Sequence, residues 1–378
     1  MNKFALYIHI PFCSFKCYYC DFNSVKFKES LVEQFLQALQ QEIKLIANKY
    51  TPVIRSIFIG GGTPSILSGK QLVRILNQCE QEFDCQSEIE ITVEANPETV
   101  TAQKLKLLKK GGVNRLSFGV QSFDDQLLKK LGRRHTVQEV IAAFNLAREI
   151  GFSNLNFDLM FALPDQSLTD WEKTLVQACQ LGPEHLATYN LKIEEGTVFA
   201  QQLQQGKIDY CEQELDLAMY QKTLQLLAEE GYQQYEISNF ARQGAESVHN
   251  QIYWKNEPYL ALGPGAHFCD GWGRGYNLAE IEQYCQQLEE DQLPWADHQK
   301  LSRLEKIEET MILGLRLKEG ISLIEFKEKY QTSVFDLYQK ELDDLLVQGL
   351  IKFKADRMSL TEQGLLLANQ VLANFILS

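Results

Sequence analysis

The feature that most restricts this chain is a strand–loop–helix unit that recurs through residues 1–200. Runs of apolar, β-branched and aromatic residues at 4–10, 56–59, 88–94, 115–119, 155–160 and 185–191 read as strands. Helical patterns separate them. Residues 30–46 place Leu31, Val32, Phe35, Leu36, Leu39, Ile43 and Ile46 on one face, and Ser30 with Glu33 has the spacing of a capping box. Thr136 with Glu139 and Ser167 with Asp170 repeat that start signal, and helical patterns at 69–83 and 101–110 complete the series. Strands that alternate with helices pair in parallel, so the class is α/β, built as an open doubly wound sheet or an incomplete parallel barrel.

Residues 212–230 read as a helix and 235–237 as a short strand. From 238 to 277 the pattern dissolves into a loop-rich stretch with five glycines between 263 and 275 and the aromatics Trp254, Tyr259, Phe268 and Trp272. A stretch of that length without elements is usually functional or disordered, and the glycines and aromatics favour an ordered aromatic surface. Residues 301–378 read as helices at 304–317, 322–330 and 334–348, a hairpin over 351–360 and a last helix, which suggests a winged-helix-like α+β unit. The expected organisation is a core over 1–235, a connecting region over 236–300 and this C-terminal unit over 301–378.

Charge narrows the partners. Thirty-seven Lys and Arg against fifty Asp and Glu leave −13, and the C-terminal unit carries ten basic and twelve acidic residues. A field of that sign repels nucleic acid, so DNA reading and RNA modification are not expected. With no long apolar run and no small-residue cleavage site in the opening MNKFALYIHIPF, the expected location is the cytoplasm.

In that reducing compartment cysteines seldom form disulfides. Six of the nine are scattered (Cys79, Cys85, Cys179, Cys211, Cys269 and Cys285), whereas Cys13, Cys17 and Cys20 share one short loop after the first strand. Structural zinc closes its shell with four ligands, while a cubic iron–sulfur cluster held by three thiolates leaves one iron open to a substrate. A zinc site completed by His9 is the alternative. The second strand ends in Gly60-Gly61-Gly62-Thr63-Pro64, where bare backbone can approach a ligand closely. No Lys-Ser/Thr pair follows, so this is not a triphosphate loop.

Tyr7-x-His9-Ile10-Pro11-Phe12-Cys13, the cysteine spacing, Gly60 to Pro64 and Val93-Glu94-Ala95-Asn96-Pro97 resemble the radical S-adenosylmethionine (SAM) superfamily, in the branch of oxygen-independent coproporphyrinogen oxidases and haem chaperones. The resemblance implies a partial (β/α)6 barrel, open laterally, with a winged-helix-like tail. It implies a [4Fe–4S] cluster on Cys13, Cys17 and Cys20, whose open iron chelates the amino and carboxylate groups of S-adenosylmethionine and whose electron cleaves the sulfonium bond. Position by position, Tyr7 and Tyr19 flank that cofactor, Gly61, Gly62 and Thr63 meet its methionine end, and Glu94 binds its ribose. Gln121, Arg133 and Asp158 fill further cofactor positions.

Two functions compete within the branch, decarboxylation of coproporphyrinogen III and the holding and delivery of haem. The oxidase pattern continues to a fourth cysteine two positions after the third, where this chain has Phe22, and an oxidase carries a longer segment ahead of its cluster. His249-Asn250-Gln251-Ile252-Tyr253-Trp254 matches the HNxxYW motif of the chaperones. These departures favour a haem carrier without oxidase activity and with no catalytic residue assigned. His249 is the expected haem ligand, with His267 and then Cys269 as alternatives, since imidazole is an axial iron ligand and aromatic faces suit a macrocycle. The implied partners are haem and client haemoproteins such as respiratory cytochromes or bacterioferritin. Peripheral contact with membrane proteins and a homodimer are compatible with that role.

Overall fold

The structure, a computed structural model, describes residues 3–376. Six strand–helix units follow in order: β1 (Lys3–Ile10), α1 (Glu29–Tyr50), β2 (Val53–Gly61), α2 (Gly69–Glu82), β3 (Asp84–Ala95), α3 (Ala102–Lys110), β4 (Arg115–Gln121), α4 (Asp125–Lys130), α5 (Val137–Ile150), β5 (Leu155–Phe161), α6 (Leu168–Leu181) and β6 (His185–Asn190). All six strands pair in parallel, in chain order. The strand faces toward the helices are apolar, and Leu6, Ile8, Ile59, Val93 and Phe118 share one core with Phe35, Leu39, Ile75 and Phe144 of the helices.

The capping expectations divide. Thr136 with Glu139 and Ser167 with Asp170 form complete boxes, as does Ser68 with Gln71, which the sequence reading passed over. The Ser30–Glu33 box does not form. Here α1 starts at Glu29 on an N-cap Lys28 with no side-chain cap, because Val25–Lys26 pairs with Phe12–Cys13 and fixes where the chain enters the helix. Glu33 instead pairs with Arg74 at 2.9 Å.

The segment read as loop is largely strand. After α7 (Val198–Gln204) and α8 (Gln213–Glu229) come β7 (Gln233–Gln234), β8 (Asn239–Ala241), α9 (Val248–Trp254), β9 (Tyr259–Leu262), β10 (His267–Cys269), β11 (Gly273–Asn277), α10 (Ile281–Glu289) and β12 (Trp295–Lys300). Strand β9 lies parallel to β1, a seventh parallel strand, and one mixed sheet runs β12-β11-β10-β9-β1-β2-β3-β4-β5-β6-β8-β7. It does not close into a barrel, since β6 pairs outward with β8 and β9 with β10. These added strands span two to six residues, and β11 carries two glycines, so they are too short for a period-2 pattern to emerge. The strand expected at 235–237 sits instead at β7 and β8, with Glu236 bridging to Leu317.

Residues 307–375 bury a second core, including Met311, Tyr338, Leu342, Met358 and Phe375. It is built from α11 (Arg303–Gly314), α12 (Leu323–Tyr330), α13 (Val334–Val347) and the hairpin of β13 (Ile351–Lys354) with β14 (Arg357–Leu360). The last helix is broken into short turns at Glu362–Leu366 and Ala368–Leu372. No helix among the described residues is long and apolar enough to cross a membrane.

One buried carboxylate ties the added strands to the barrel. Glu42 of α1 accepts from Gly263 N (2.8 Å), Tyr284 Oη (2.6 Å) and Asn277 Nδ2 (2.6 Å). Burial outweighs these three donors and pushes its carboxyl up from 4.5 to about 7. A proton held longer in the folded than in the unfolded chain stabilises below pH 4.5, and that stability is lost as pH rises to about 7. The denaturation midpoint should therefore fall across that window in the native chain and lose the slope in Glu42→Gln. Glu42→Ala strands three donors and should cost roughly 3 kcal/mol at pH 5 by denaturant unfolding.

Candidate functional site

The cysteine loop is held shut at its base and pinned in its middle. Val25 N donates to Pro11 O (2.7 Å) and Phe27 N to Cys13 O (2.9 Å), while Tyr18 bonds by its N to Leu131 O (3.0 Å) and by its O to Phe199 N (2.9 Å). Cys13 is buried, and Cys17 and Cys20 are half-buried. Burial pushes the Cys13 thiol up and that of Cys20 to about 11. A bound metal reverses that preference by stabilising thiolate.

Beside this loop lies the glycine turn at the end of β2. Gly62 N donates to Ile10 O (2.9 Å) and Thr63 N to Phe12 O (2.8 Å). Gly61 has φ +111°, and a Cβ there would lie 2.6 Å from the His9 ring. A Cβ on Gly62 would sit 2.7 Å from Phe12 O and 3.0 Å from Cys13 Sγ, so a side chain here would fill the space against the thiol.

A chain of polar contacts then links two of the cysteines. Cys13 Sγ lies 3.5 Å from Thr63 Oγ1. Thr63 Oγ1 accepts from Asn96 Nδ2 at 3.3 Å. Asn96 Oδ1 accepts from Arg133 Nη2 at 2.7 Å, and Arg133 Nη1 reaches Cys17 Sγ at 3.5 Å. Arg133 also donates to Gly119 O at 2.6 Å. Asn96 was not among the residues expected from sequence, although it stands two positions after Glu94 in the quoted motif.

Cys13, Cys17 and Cys20 stand on one loop, and three thiolates on one loop can bind different irons of a cubic cluster. His9 does not complete a zinc shell, because both its ring nitrogens are engaged. Its Nε2 donates to Asn23 O at 2.7 Å, which leaves Nδ1 to accept from Tyr7 Oη at 3.1 Å.

Above the glycines stand two half-buried carboxylates. Glu94 Oε2 accepts from Gly61 N at 3.1 Å. Asp158 accepts from Asn156 Nδ2 (2.8 Å) and Ser117 Oγ (3.0 Å). Burial, and then the neighbouring Asp158, push Glu94 up to about 8, and burial raises Asp158 as well. A cationic ligand with ribose hydroxyls would relieve both. Gln121 ends β4 with φ 68° and accepts from Tyr189 Oη at 3.3 Å. Tyr7 stacks on Phe58 at 6.2 Å, and Tyr19 packs with Leu127, Leu131 and Phe199. The loop, glycines, carboxylates and Arg133 therefore converge at the C-terminal ends of β1 to β5.

The motif helix α9 turns His249 and Ile252 inward and leaves Val248 exposed. Glu90 accepts from Val248 N and His249 N, both at 3.1 Å. His249 is 1% exposed, with Nδ1 2.9 Å from Ser56 Oγ and Nε2 2.8 Å from Tyr253 Oη. Burial lowers its pKa to about 3. Trp254 lies under Arg316 of the C-terminal unit at 4.5 Å. His267 is exposed and stacks on Tyr276 at 5.1 Å, whereas Cys269 is buried.

Two outcomes follow from this geometry. The affinity for S-adenosylmethionine, measured by equilibrium dialysis, should rise about tenfold per pH unit toward pH 8 and then level, because a cation binds ionised Glu94 and expels its proton. Glu94→Gln should flatten that profile and weaken binding above pH 8 by about 2 kcal/mol. Gly62→Ala should lose most of the iron bound on anaerobic reconstitution, read from the charge-transfer absorption, while keeping the native far-ultraviolet spectrum.

Comparison with known proteins agrees with the architecture. Residues 7–178 match the Radical SAM superfamily and residues 301–367 the HemN C-terminal domain. The heme chaperone HemW of Bacillus subtilis is 44% identical over 98% of this chain and 99% of its own, and that of Lactococcus lactis is 36% identical over 99% and 97%. The structure of the coproporphyrinogen III oxidase HemN from Escherichia coli, a radical SAM enzyme, superposes with a TM-score of 0.87 at 27% identity, covering 99% of this chain and 90% of that one. With full-length identity at this level, the chain belongs to the heme chaperone HemW family of the radical SAM superfamily.

Proposed function

We propose that the chain binds haem, a [4Fe–4S] cluster and S-adenosylmethionine, and delivers haem to client haemoproteins. The observation that carries this reading is the 44% identity, over nearly the whole of both chains, to a protein named as a heme chaperone. The polar chain from Cys13 through Thr63, Asn96 and Arg133 to Cys17 supports the cofactor part.

In this reading Cys13, Cys17 and Cys20 hold the cluster. Gly61, Gly62 and Thr63 present backbone to the methionine end of the cofactor, Glu94 accepts from its ribose, and Tyr7 and Tyr19 flank it. Asp158 would add a carboxylate to the cation's surroundings, Gln121 would offer its amide, and Arg133 would balance the thiolates. When bound, the cluster and S-adenosylmethionine together supply one-electron cleavage of a carbon–sulfur bond. The chain's own contribution is to exclude water from the carboxylates and to fix the cysteine loop against the glycine turn. The proposed setting is the cytoplasm, with clients such as respiratory cytochromes or bacterioferritin reached in part at the membrane surface.

The second reading is oxygen-independent coproporphyrinogen III oxidase, favoured by the superposition on HemN. Phe22, 60% exposed where the oxidase pattern has cysteine, speaks against it. Anaerobic incubation of the reconstituted, haem-loaded chain with an apo-cytochrome should move the Soret band to the client at a stoichiometry near one haem per chain. The same chain with reductant, S-adenosylmethionine and coproporphyrinogen III should form no protoporphyrinogen. Product formation without haem transfer would reverse the order of the two readings.

A further inference from the structure

Asp158 owes its orientation to the row of side chains beneath it. On its own tier the parallel register sets it between Gly119 of β4 and Ala187 of β6, neither of which has a polar side chain. Two residues back on the same face, the register sets Ser117 beside Asn156 and Asn156 beside His185. All three of these are buried, His185 completely. Both hydrogen bonds that the Asp158 side chain accepts among the described residues come from this lower row. Asn156 Nδ2 donates to Oδ1 at 2.8 Å, and Ser117 Oγ donates to Oδ2 at 3.0 Å.

The donors in the row all point toward Asp158. A carboxylate only accepts, so the Asn156 amide turns its Nδ2 to Asp158, and the same nitrogen donates to Ser117 Oγ at 2.7 Å. That leaves Asn156 Oδ1 facing His185 Nδ1 at 2.6 Å, which places the ring proton on Nδ1. His185 Nε2 then accepts from Tyr235 Oη at 2.8 Å. Tyr235 is anchored in turn, since its O accepts from Lys318 N of the C-terminal unit at 2.9 Å. Burial, and then Arg115, hold the His185 pKa well below 6.5, so the ring is neutral. With the amide turned over, Oδ1 would face the carboxylate and Nδ2 would face the Nδ1 proton.

We infer that His185 is a positioning residue of the cofactor site: its Nδ1 proton fixes the Asn156 amide, and Asn156 with Ser117 presents Asp158 to a cationic ligand as an oriented carboxylate. The inference rests on the reading in which this site binds S-adenosylmethionine. His185 touches no ligand in it and acts through Asn156.

Two amide variants separate the ring nitrogens. In His185→Asn the side-chain amide stands in for Nδ1 and can still donate to Asn156, whereas in His185→Gln it stands in for Nε2 and leaves Asn156 Oδ1 without its donor. The test is equilibrium dialysis of S-adenosylmethionine, and of S-adenosylhomocysteine, which lacks the sulfonium charge, on the full, cluster-reconstituted chain. His185→Gln should raise Kd about tenfold for the cation and less than about twofold for the neutral thioether, and His185→Asn should stay within about twofold of native for both. With Asp158→Asn already in place, His185→Gln should weaken binding no further. Equal loss for the two ligands, equal loss in the two variants, no loss in His185→Gln, or an undiminished effect beside Asp158→Asn would overturn the inference. As a second readout, nitrogen NMR of the native chain with isotope-labelled histidine, assigned by the signal missing from His185→Asn, should show His185 neutral and protonated on Nδ1. A proton on Nε2 overturns the inference whatever the ligands do, whereas a native chain that binds neither ligand defeats the cofactor reading itself.

Discussion

The site depends on the parallel pairing of β1 with β2. Their register runs from Lys3 with Val53 to Ile10 with Gly61, and it continues past the strand ends as Gly62 and Thr63 bond back to Ile10 and Phe12. That continuation brings the first cysteine against the glycine turn. Only glycine fits, since a Cβ at Gly61 or Gly62 would overlap His9, Phe12 or the Cys13 sulfur. Two segments about fifty residues apart are thereby made one surface.

Around that surface the protein has buried more charge than a core tolerates unaided. Glu94 and Asp158 face each other's fields with Arg115 and Arg133 as counter-charges, and burial still raises both acids. Acids whose ionised form is disfavoured by burial are stabilised when a cation binds beside them. The same logic explains why Arg133 is drawn to Cys17, Asn96 and Gly119 at once. Its guanidinium touches the cysteine loop, Asn96 just past β3 and Gly119 of β4 together.

Strand β9 extends the sheet on the far side of β1, and α9, just before it, plugs the space beneath. Tyr253 stands at 4.5 Å from Tyr259, and Phe58 bridges His249 to Tyr7 through ring contacts of 5.2 and 6.2 Å. The motif residues and Tyr7 are therefore packed into one continuous aromatic layer. Arg274 with Glu309 and Asn256 with Thr310 fasten that layer to the C-terminal unit.

Hydrophobic periodicity marks the six long strands and their longer helices, because each element spans several repeats of its own pattern, whereas the six-residue α4 is too short to show one. The thiols of Cys13, Cys17 and Cys20 and the glycines of the turn were legible because they sit within a few residues of one another. What the linear chain left undetermined were contacts between distant segments. It did not locate the strands between β7 and β12, which are stabilised by neighbours rather than by pattern, and it did not single out Asn96 as the bridge between Thr63 and Arg133. Nor could it separate a buried His249 with both ring nitrogens bonded from an exposed His267 stacked on Tyr276, since identical imidazoles acquire their burial and partners only from tertiary packing.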